Sequence, residues 1–266
     1  MNTILVTGGA GYIGSHVVQQ LSQRGERVIV LDNLVSGFRE AVRGAELVVG
    51  DVGDRSLVAR IMTEHRIGAV LHFAAHTVVP ESVRDPLKYY GNDTCNTRNL
   101  LACCVDAGVR RFLFSSTAAV YGMPASGIAD EDTPVQPINP YGSSKLMSET
   151  MLRDLGSAGA MQYVILRYFN VAGCDPQGRI GQSTPNATLL LKVACEHAVS
   201  QHGLGTATGF LGRLANEHQR ALPLVLERDE SSCGPDPTRH VDVMPATVRD
   251  KSLAAIPVGL DFAGIG

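Results

Sequence analysis

Tyr141 and Lys145, four residues apart in Tyr141-Gly-Ser-Ser-Lys145, fall on one face of a helix and together can move a proton. A phenol titrates at about 10 when unperturbed, too high for a base at neutral pH. An ammonium one turn away favours the phenolate and is expected to pull that value down. Ser115-Ser116-Thr117 closes an apolar run upstream and offers a hydroxyl partner. The Tyr-x3-Lys spacing also occurs on ordinary solvated helix faces, so the reading rests on its companions.

The strongest companion opens the chain. Gly8-Gly9-Ala10-Gly11-Tyr12-Ile13-Gly14 follows an apolar run directly and starts a helical stretch. Glycines let the backbone turn tightly and approach a pyrophosphate, while the helix N-terminus offers unpaired N–H groups and a positive dipole end. Glycine turns also join strands to helices for steric reasons alone. Here Asp32 ends the second strand, eighteen residues after Gly14, where a carboxylate can accept from ribose hydroxyls and repel a 2′-phosphate. That combination predicts a dinucleotide site preferring NAD to NADP. Asp51, after Leu47-Val48-Val49-Gly50, is placed to meet the adenine end; the other reading is a loop cap.

Positioning these groups requires a particular scaffold. Ile4-Leu5-Val6, Val28-Ile29-Val30-Leu31, Leu47-Val48-Val49, Val70-Leu71-His72-Phe73, Phe112-Leu113-Phe114 and Tyr163-Val164-Ile165-Leu166 are solid apolar runs, as in strands buried on both faces. Amphipathic stretches near 12–24, 57–65, 87–107 and from Pro140 onward separate them and supply right-handed crossovers. The expected fold is α/β, a Rossmann-type doubly wound parallel sheet. A further helix is expected from Pro185 to about Gln201, and strand-like runs containing proline at 222–226 and 256–260, which suit a sheet edge. The expected division is a dinucleotide-binding domain over 1–175 and a small, divergent substrate-binding region over 176–266.

The bulk numbers exclude some classes. Of 266 residues, 44% are hydrophobic and 18% charged, ordinary for a globular chain with a large core. A formal charge of −3 without a dense Lys/Arg run argues against nucleic acid as a partner. Cys95, Cys103, Cys104, Cys174, Cys195 and Cys233 have no zinc-type spacing and read as reduced thiols; no metal site is expected. His72 ends an apolar strand and reads as a satisfied core histidine, and Asp130-Glu131-Asp132 as a solvated acidic turn. No apolar stretch reaches membrane-spanning length, and the start MNTILVTGG runs straight into a strand, so a cytoplasmic location is expected.

Four stretches carry a resemblance to a known family: VTGGAGYIGSH, HFAAHTVVPESVRDPLKYY, FSSTAAVYG and LRYFNVAGCDPQGRIG. The chain resembles the extended short-chain dehydrogenase/reductases, and among them the UDP-glucose 4-epimerases, from residue 1 to about residue 201. The resemblance implies an enzyme that interconverts UDP-glucose and UDP-galactose in galactose metabolism, by transient oxidation at sugar C4 with bound NAD. Tyr141 would take the proton of the 4-hydroxyl. Lys145 would lower the pKa of Tyr141 and hold the nicotinamide ribose. Thr117 would hydrogen-bond the 4-oxygen and help move its proton.

By the same resemblance Gly8, Gly11, Tyr12, Ile13 and Gly14 would line the pyrophosphate turn, and Asp32, Asn33, Ser36 and Gly37 would surround the adenosine ribose. Asp51 and Val52 would flank adenine, and Phe73, Ala74, Ala75, Thr77 and Asn92 would run toward the nicotinamide. Many relatives carry lysine where Thr77 stands. Ser115 could contact the cofactor, and for it and Ser116 a backbone-capping role is equally open. Tyr168 and Phe169 would sit beside the nicotinamide, with plain core packing the other reading of Phe169, and Asn170 would reach the UDP-sugar. The helices near 87–107 and 140–156 would pair across a homodimer.

The resemblance fades after the helix ending near Gln201. The family continues there with segments reading approximately I-F-G-T-D-Y and R-D-Y-I-H-V, which this sequence lacks. From about Gly203 it reads as unrelated sequence, as a reading-frame change or fusion would give. Arg213, Arg220, Arg228, Arg239 and Arg249 are candidates for the diphosphate by charge alone. Two other readings follow. One is another nucleotide-sugar epimerase or dehydratase, although Ala118-Ala119 stands where a dehydratase would place an acid pair. The other is a catalytically silent NAD-binding truncation product.

Overall fold

β-Branched and leucine runs, each too short for a helix and apolar on both faces, become six parallel strands: β1 (Thr3–Thr7), β2 (Val28–Asp32), β3 (Glu46–Val49), β4 (Ile67–His72), β5 (Arg111–Ser115) and β6 (Gln162–Arg167). The computed structural model of the chain describes residues 3–125 and 127–184, with Lys192, Val193, Glu196 and the backbone of Val225–Arg228 beyond them. The strand order is β3-β2-β1-β4-β5-β6, with β7 (Val225–Arg228) antiparallel on β6 at the edge. The chain leaves β1 toward one edge, returns through β4 and continues toward the other. This is the doubly wound order expected, and its switch point lies between the carboxyl ends of β1 and β4, where Thr7 pairs with His72.

Burial follows position in the sheet. All five residues of β2 are buried, whereas those of β3, the strand at one edge, are half-buried or exposed. Helices α1 (Tyr12–Gln23), α2 (Arg55–Glu64), α5 (Asn96–Asp106) and α6 (Pro140–Ser157) cover the faces. One core layer joins Leu5, Ile29, Val70, Phe112 and Ile165 to Leu100 of α5 and Leu152 of α6; the other joins Val6, Val30 and Leu113 to Val18 of α1.

Two local features depart from the sequence reading. Residues 79–84, between strand and helix, form a short helix of their own, α3 (Val79–Arg84). The long helix expected near 87–107 is α4 (Pro86–Tyr89) and α5 joined by a π turn at Tyr90–Cys95. π turns recur at functional sites, and this one carries Asn92 and Asp93.

β7 falls within the 176–266 region yet adds to the sheet of the first, at the edge that its proline-containing neighbourhood suggested. Lys192, Val193 and Glu196 of the expected helix at 185–201 have helical backbone. The rest of that helix, the run at 256–260, and Arg213, Arg220, Arg239 and Arg249 lie outside the described residues, as do Cys195 and Cys233. The other four cysteines are free thiols, Cys103 and Cys104 buried and Cys95 and Cys174 exposed.

Candidate active site

The glycine turn at the end of β1 is shaped by what lies on it. A Cβ on Gly8 would sit 2.5 Å from the backbone N of Ala74, where the segment leaving β4 crosses, and one on Gly14 would overlap the carbonyl oxygen of Gly8. Only glycine permits both approaches. Gly11 caps α1 without a side-chain bond, and no acidic residue occupies the first turn, so the leading amides of Tyr12, Ile13 and Gly14 have no side-chain acceptor. Those amides and the helix dipole suit an anion. Tyr12 turns its phenol away, donating to Gly173 O at 2.6 Å.

Asp32 anchors the other side. Its buried carboxylate accepts from Ala10 N (2.9 Å) and Leu34 N (2.8 Å), which fixes the turn against β2 and keeps a negative charge beside it. Phe38 N donates to Ala10 O at 3.0 Å, bringing the Ser36–Gly37 bend against the same turn. Asn33 Nδ2 donates to Asp51 Oδ2 (2.9 Å), so these two candidates meet at the rim. The side chain of Val52 is packed in the core, leaving its backbone for any nucleotide contact. Phe73 and Ala74 lie half-buried over the turn, with Phe73 N bonded to Thr7 O; Ala75 follows half-buried and Thr77 is exposed. A cradle that a Cβ would fill, open helix amides and a buried carboxylate fit a dinucleotide.

Across the switch point, α6 brings the proton-transfer candidates in. Asn139 caps the helix by accepting from Gly142 N at 2.8 Å, and Pro140 occupies its first turn. A Cβ on Gly142 would lie 2.7 Å from Ala119 O, so glycine lets α6 press against the 3₁₀ turn Ala118–Tyr121 that follows Thr117. Tyr141 thereby hydrogen-bonds the Thr117 hydroxyl, whose Oγ1 also accepts from Ala119 N at 3.1 Å. Lys145 Nζ donates to Ser115 O at 2.9 Å and lies 4.9 Å from the Phe114 ring centroid. Ser115 Oγ hydrogen-bonds the hydroxyl of Tyr168.

Tyr141, Lys145, Thr117, Ser115 and Tyr168 are therefore brought together, with Asn92 half-buried in the π turn nearby. Phe169, 42% exposed, is not a core residue, and Asn170 is exposed beside it.

One electrostatic expectation is corrected. Burial pushes the Tyr141 phenol up to about 12; the bond from Thr117 lowers it, and the charge of Asp93 raises it further. Lys145 does not pull it down, because its ammonium is directed to Ser115 O and the Phe114 face. Burial lowers the pKa of Lys145 itself, against the charges of Asp93 and Glu149.

Several buried groups were not singled out in the sequence. Glu149, fully buried, accepts from Ser116 Oγ, from Arg153 Nη2 at 2.9 Å, and from Arg167 through Nε (3.0 Å) and Nη2 (2.6 Å). Arg167 Nη1 also donates to Tyr121 Oη at 2.9 Å. Tyr141, Lys145 and Glu149 are spaced by four, one helical stripe, which was the available signal. Tyr89 packs edge-on against Tyr141 with centroids 6.2 Å apart, and its hydroxyl donates to Val78 O. His72 bridges Thr7 Oγ1 (2.6 Å) and Thr97 Oγ1 (2.9 Å), and burial depresses its pKa to about 3, the satisfied neutral histidine expected. Asp130 is an exposed acceptor for Thr133 within its own turn.

Sheet order, glycine turn and phenol–ammonium pair define a Rossmann-type fold with the layout of short-chain dehydrogenases. Residues 4–200 match the NAD dependent epimerase/dehydratase family, and the chain belongs to that family. It is 57% identical over 194 residues to a UDP-glucose 4-epimerase of Azospirillum brasilense, an overlap of 73% of this chain and 56% of that protein. Among solved structures it is similar to the UDP-glucose 4-epimerase of Brucella ovis in complex with NAD (TM-score 0.74, 41% identity, 76% of this chain and 62% of that one). It is also similar to the Bifidobacterium longum enzyme in complex with NAD+ and UDP (TM-score 0.70, 36% identity, 77% and 64%). The chain thus spans less than two thirds of these relatives.

Proposed function

We propose that this chain interconverts UDP-glucose and UDP-galactose by transient oxidation at sugar C4, using bound NAD. The observation that carries the reading is the convergence of Tyr141 and Lys145 of α6 on the end of β5, where Lys145 Nζ donates to Ser115 O beside Thr117, across the switch point from a turn that fits a pyrophosphate. The B. ovis and B. longum relatives, crystallised with NAD and with NAD+ and UDP, support it.

When bound, NAD would supply the hydride acceptor that returns the hydride to the opposite face of the 4-keto sugar. The Gly8–Gly14 turn and the amides of Tyr12 and Ile13 would hold the pyrophosphate. Asp32, with Asn33, Ser36 and Gly37, would hold the adenosine ribose, and Asp51 and Val52 would border adenine. Phe73, Ala74, Ala75, Thr77, Asn92, Ser115, Tyr168 and Phe169 would flank the path to the nicotinamide, and Lys145 would donate to its ribose.

Tyr141 would accept the proton of the 4-hydroxyl. Thr117 would bond the same oxygen, replacing the bond it makes to the phenol. Since burial stabilises the neutral phenol, a positive charge brought close to Tyr141 is what would favour the phenolate during reaction. Asn170, exposed beside Phe169, would reach the UDP-sugar.

A homodimer belongs to the same proposal. Leu87 of α4 is 79% exposed, Val105 of α5 43% and Met147 of α6 48%, an apolar set on the helices expected to pair. Among the described residues no helix is long and apolar enough to cross a membrane, and a cytoplasmic location is part of the proposal.

Conversion of UDP-galactose by the purified chain, coupled to UDP-glucose dehydrogenase and followed as NADH, tests the activity. Turnover is expected; bound NAD without turnover would favour the silent NAD-binding reading.

A further inference from the structure

Asp93 sits inside the π turn, 1% exposed. Its Oδ1 accepts from His76 N at 2.9 Å and from Asn92 Nδ2 at 2.8 Å. Its Oδ2 is buried with no hydrogen-bond partner among the described residues. A buried carboxylate oxygen without a partner is costly unless a nearby charge compensates it.

The turn is stitched to α6 on both sides of Lys145. Thr94 Oγ1 donates to Ser144 O at 3.1 Å, and Ser148 Oγ donates to Asp93 O at 2.9 Å. Lys145, 2% exposed, has Ser115 O as its hydrogen-bond acceptor among the described residues. Each of the two charges favours the ionised form of the other.

We propose that Asp93 is the buried counter-ion of Lys145, a positioning residue that keeps the ammonium charged in the water-excluded site next to Tyr141. The inference rests on Tyr141 and Lys145 being the proton-transfer pair, and Asp93 itself touches no reacting atom. Around Asp93 stand Lys145 and Tyr141 from α6, Tyr89 from α4 and His76 from the segment after β4; Lys145 also faces Glu149 and His72.

The sign of the effect is the same for both members of the pair. A negative charge favours protonated lysine and disfavours phenolate. Asp93 therefore holds both titrations at higher pH, and neutralising it moves both down.

Asp93→Asn in the full chain tests this, since the amide keeps an oxygen for His76 N. Ionisation of Tyr141 is followed as the tyrosinate absorbance that disappears in Tyr141→Phe. In Asp93→Asn the phenolate should form at lower pH than in the parent, and the pH profile of UDP-galactose conversion should move down on both limbs. A folded variant whose phenolate titration is unmoved overturns the proposal, whatever happens to kcat. Absence of turnover in the parent would contradict the proposed function and leave the titration to decide Asp93. If Asp93→Asn does not fold, Lys145→Met decides. Stripped of its counter-charge, Asp93 should take up a proton at neutral pH and add a carboxylic C=O band to the infrared spectrum. No such band, with the protein folded, overturns the proposal.

Discussion

The glycine turn and the phenol–ammonium site face each other across the switch point but are made of different material. The first is backbone: glycines that let β1, the segment after β4 and α1 meet, and amides with no side-chain acceptor. The second is side chain: Lys145 and Thr117, buried, and Tyr141, half-buried, with Glu149 on the same helix, Arg167 from β6 and Asp93 from the π turn around them. A site made of backbone fails when an atom is added. A site made of buried side chains fails when a charge is removed, because each charge there is compensated by another.

The largest effect should come from the side-chain half. Glu149→Leu removes the carboxylate that Ser116, Arg153 and Arg167 share, and breaking a buried ionic network of this kind costs about 3–5 kcal/mol. Urea unfolding reads it directly. A loss below about 1 kcal/mol would show that the network is not what secures the Ser115–Thr117 shelf to α6.

Gly14→Ala should break the backbone half. Overpacking against the Gly8 carbonyl costs about 1–3 kcal/mol, and NAD binding, measured by calorimetry, should be lost while Tyr141 titrates as before. Retained binding with unchanged stability would mean that the turn relaxes and that its shape is not the determinant.

A third effect appears only in acid. His72 is held neutral in the fold with a pKa of about 3, whereas an unfolded histidine takes its proton at about 6.5. Its contribution is complete above the unfolded value and is lost as pH falls from there toward about 3. Replacing it in His72→Gln should flatten the fall in stability across that window, and an unchanged slope would assign the acid sensitivity elsewhere.

The smallest effect belongs to neither half. Asp54 caps α2 by accepting from Leu57 N at 3.0 Å, and Asp54→Ala should cost about 1 kcal/mol by thermal unfolding without altering NAD binding or Tyr141. A change in either would mean that the scaffold and the site are more tightly coupled than the contacts around them indicate.

The same difference in material explains what was legible in the sequence. Gly8 to Gly14 and Asp32 could be read because a strand, a turn and a helix start are local patterns, and the apolar runs gave the sheet because parallel strands are buried on both faces. Tyr141 and Lys145 were visible because both lie on one helix turn. Glu149 continued their stripe, but a glutamate on a helix ordinarily faces water, and the arginine that makes it a core residue lies eighteen residues away on β6. Asp93 was hidden in a helical run whose π turn leaves no periodic mark. The pKa of Tyr141 was misjudged because helical spacing places Lys145 near it but does not say where the ammonium points.

The most direct test of the account compares the parent chain with Tyr141→Phe in UDP-galactose conversion and in NAD retained after desalting. The account predicts turnover in the parent, a fall of at least about 100-fold in the variant, and equal NAD content in both. Turnover that persists in Tyr141→Phe, with NAD still bound, would contradict it by placing the base elsewhere.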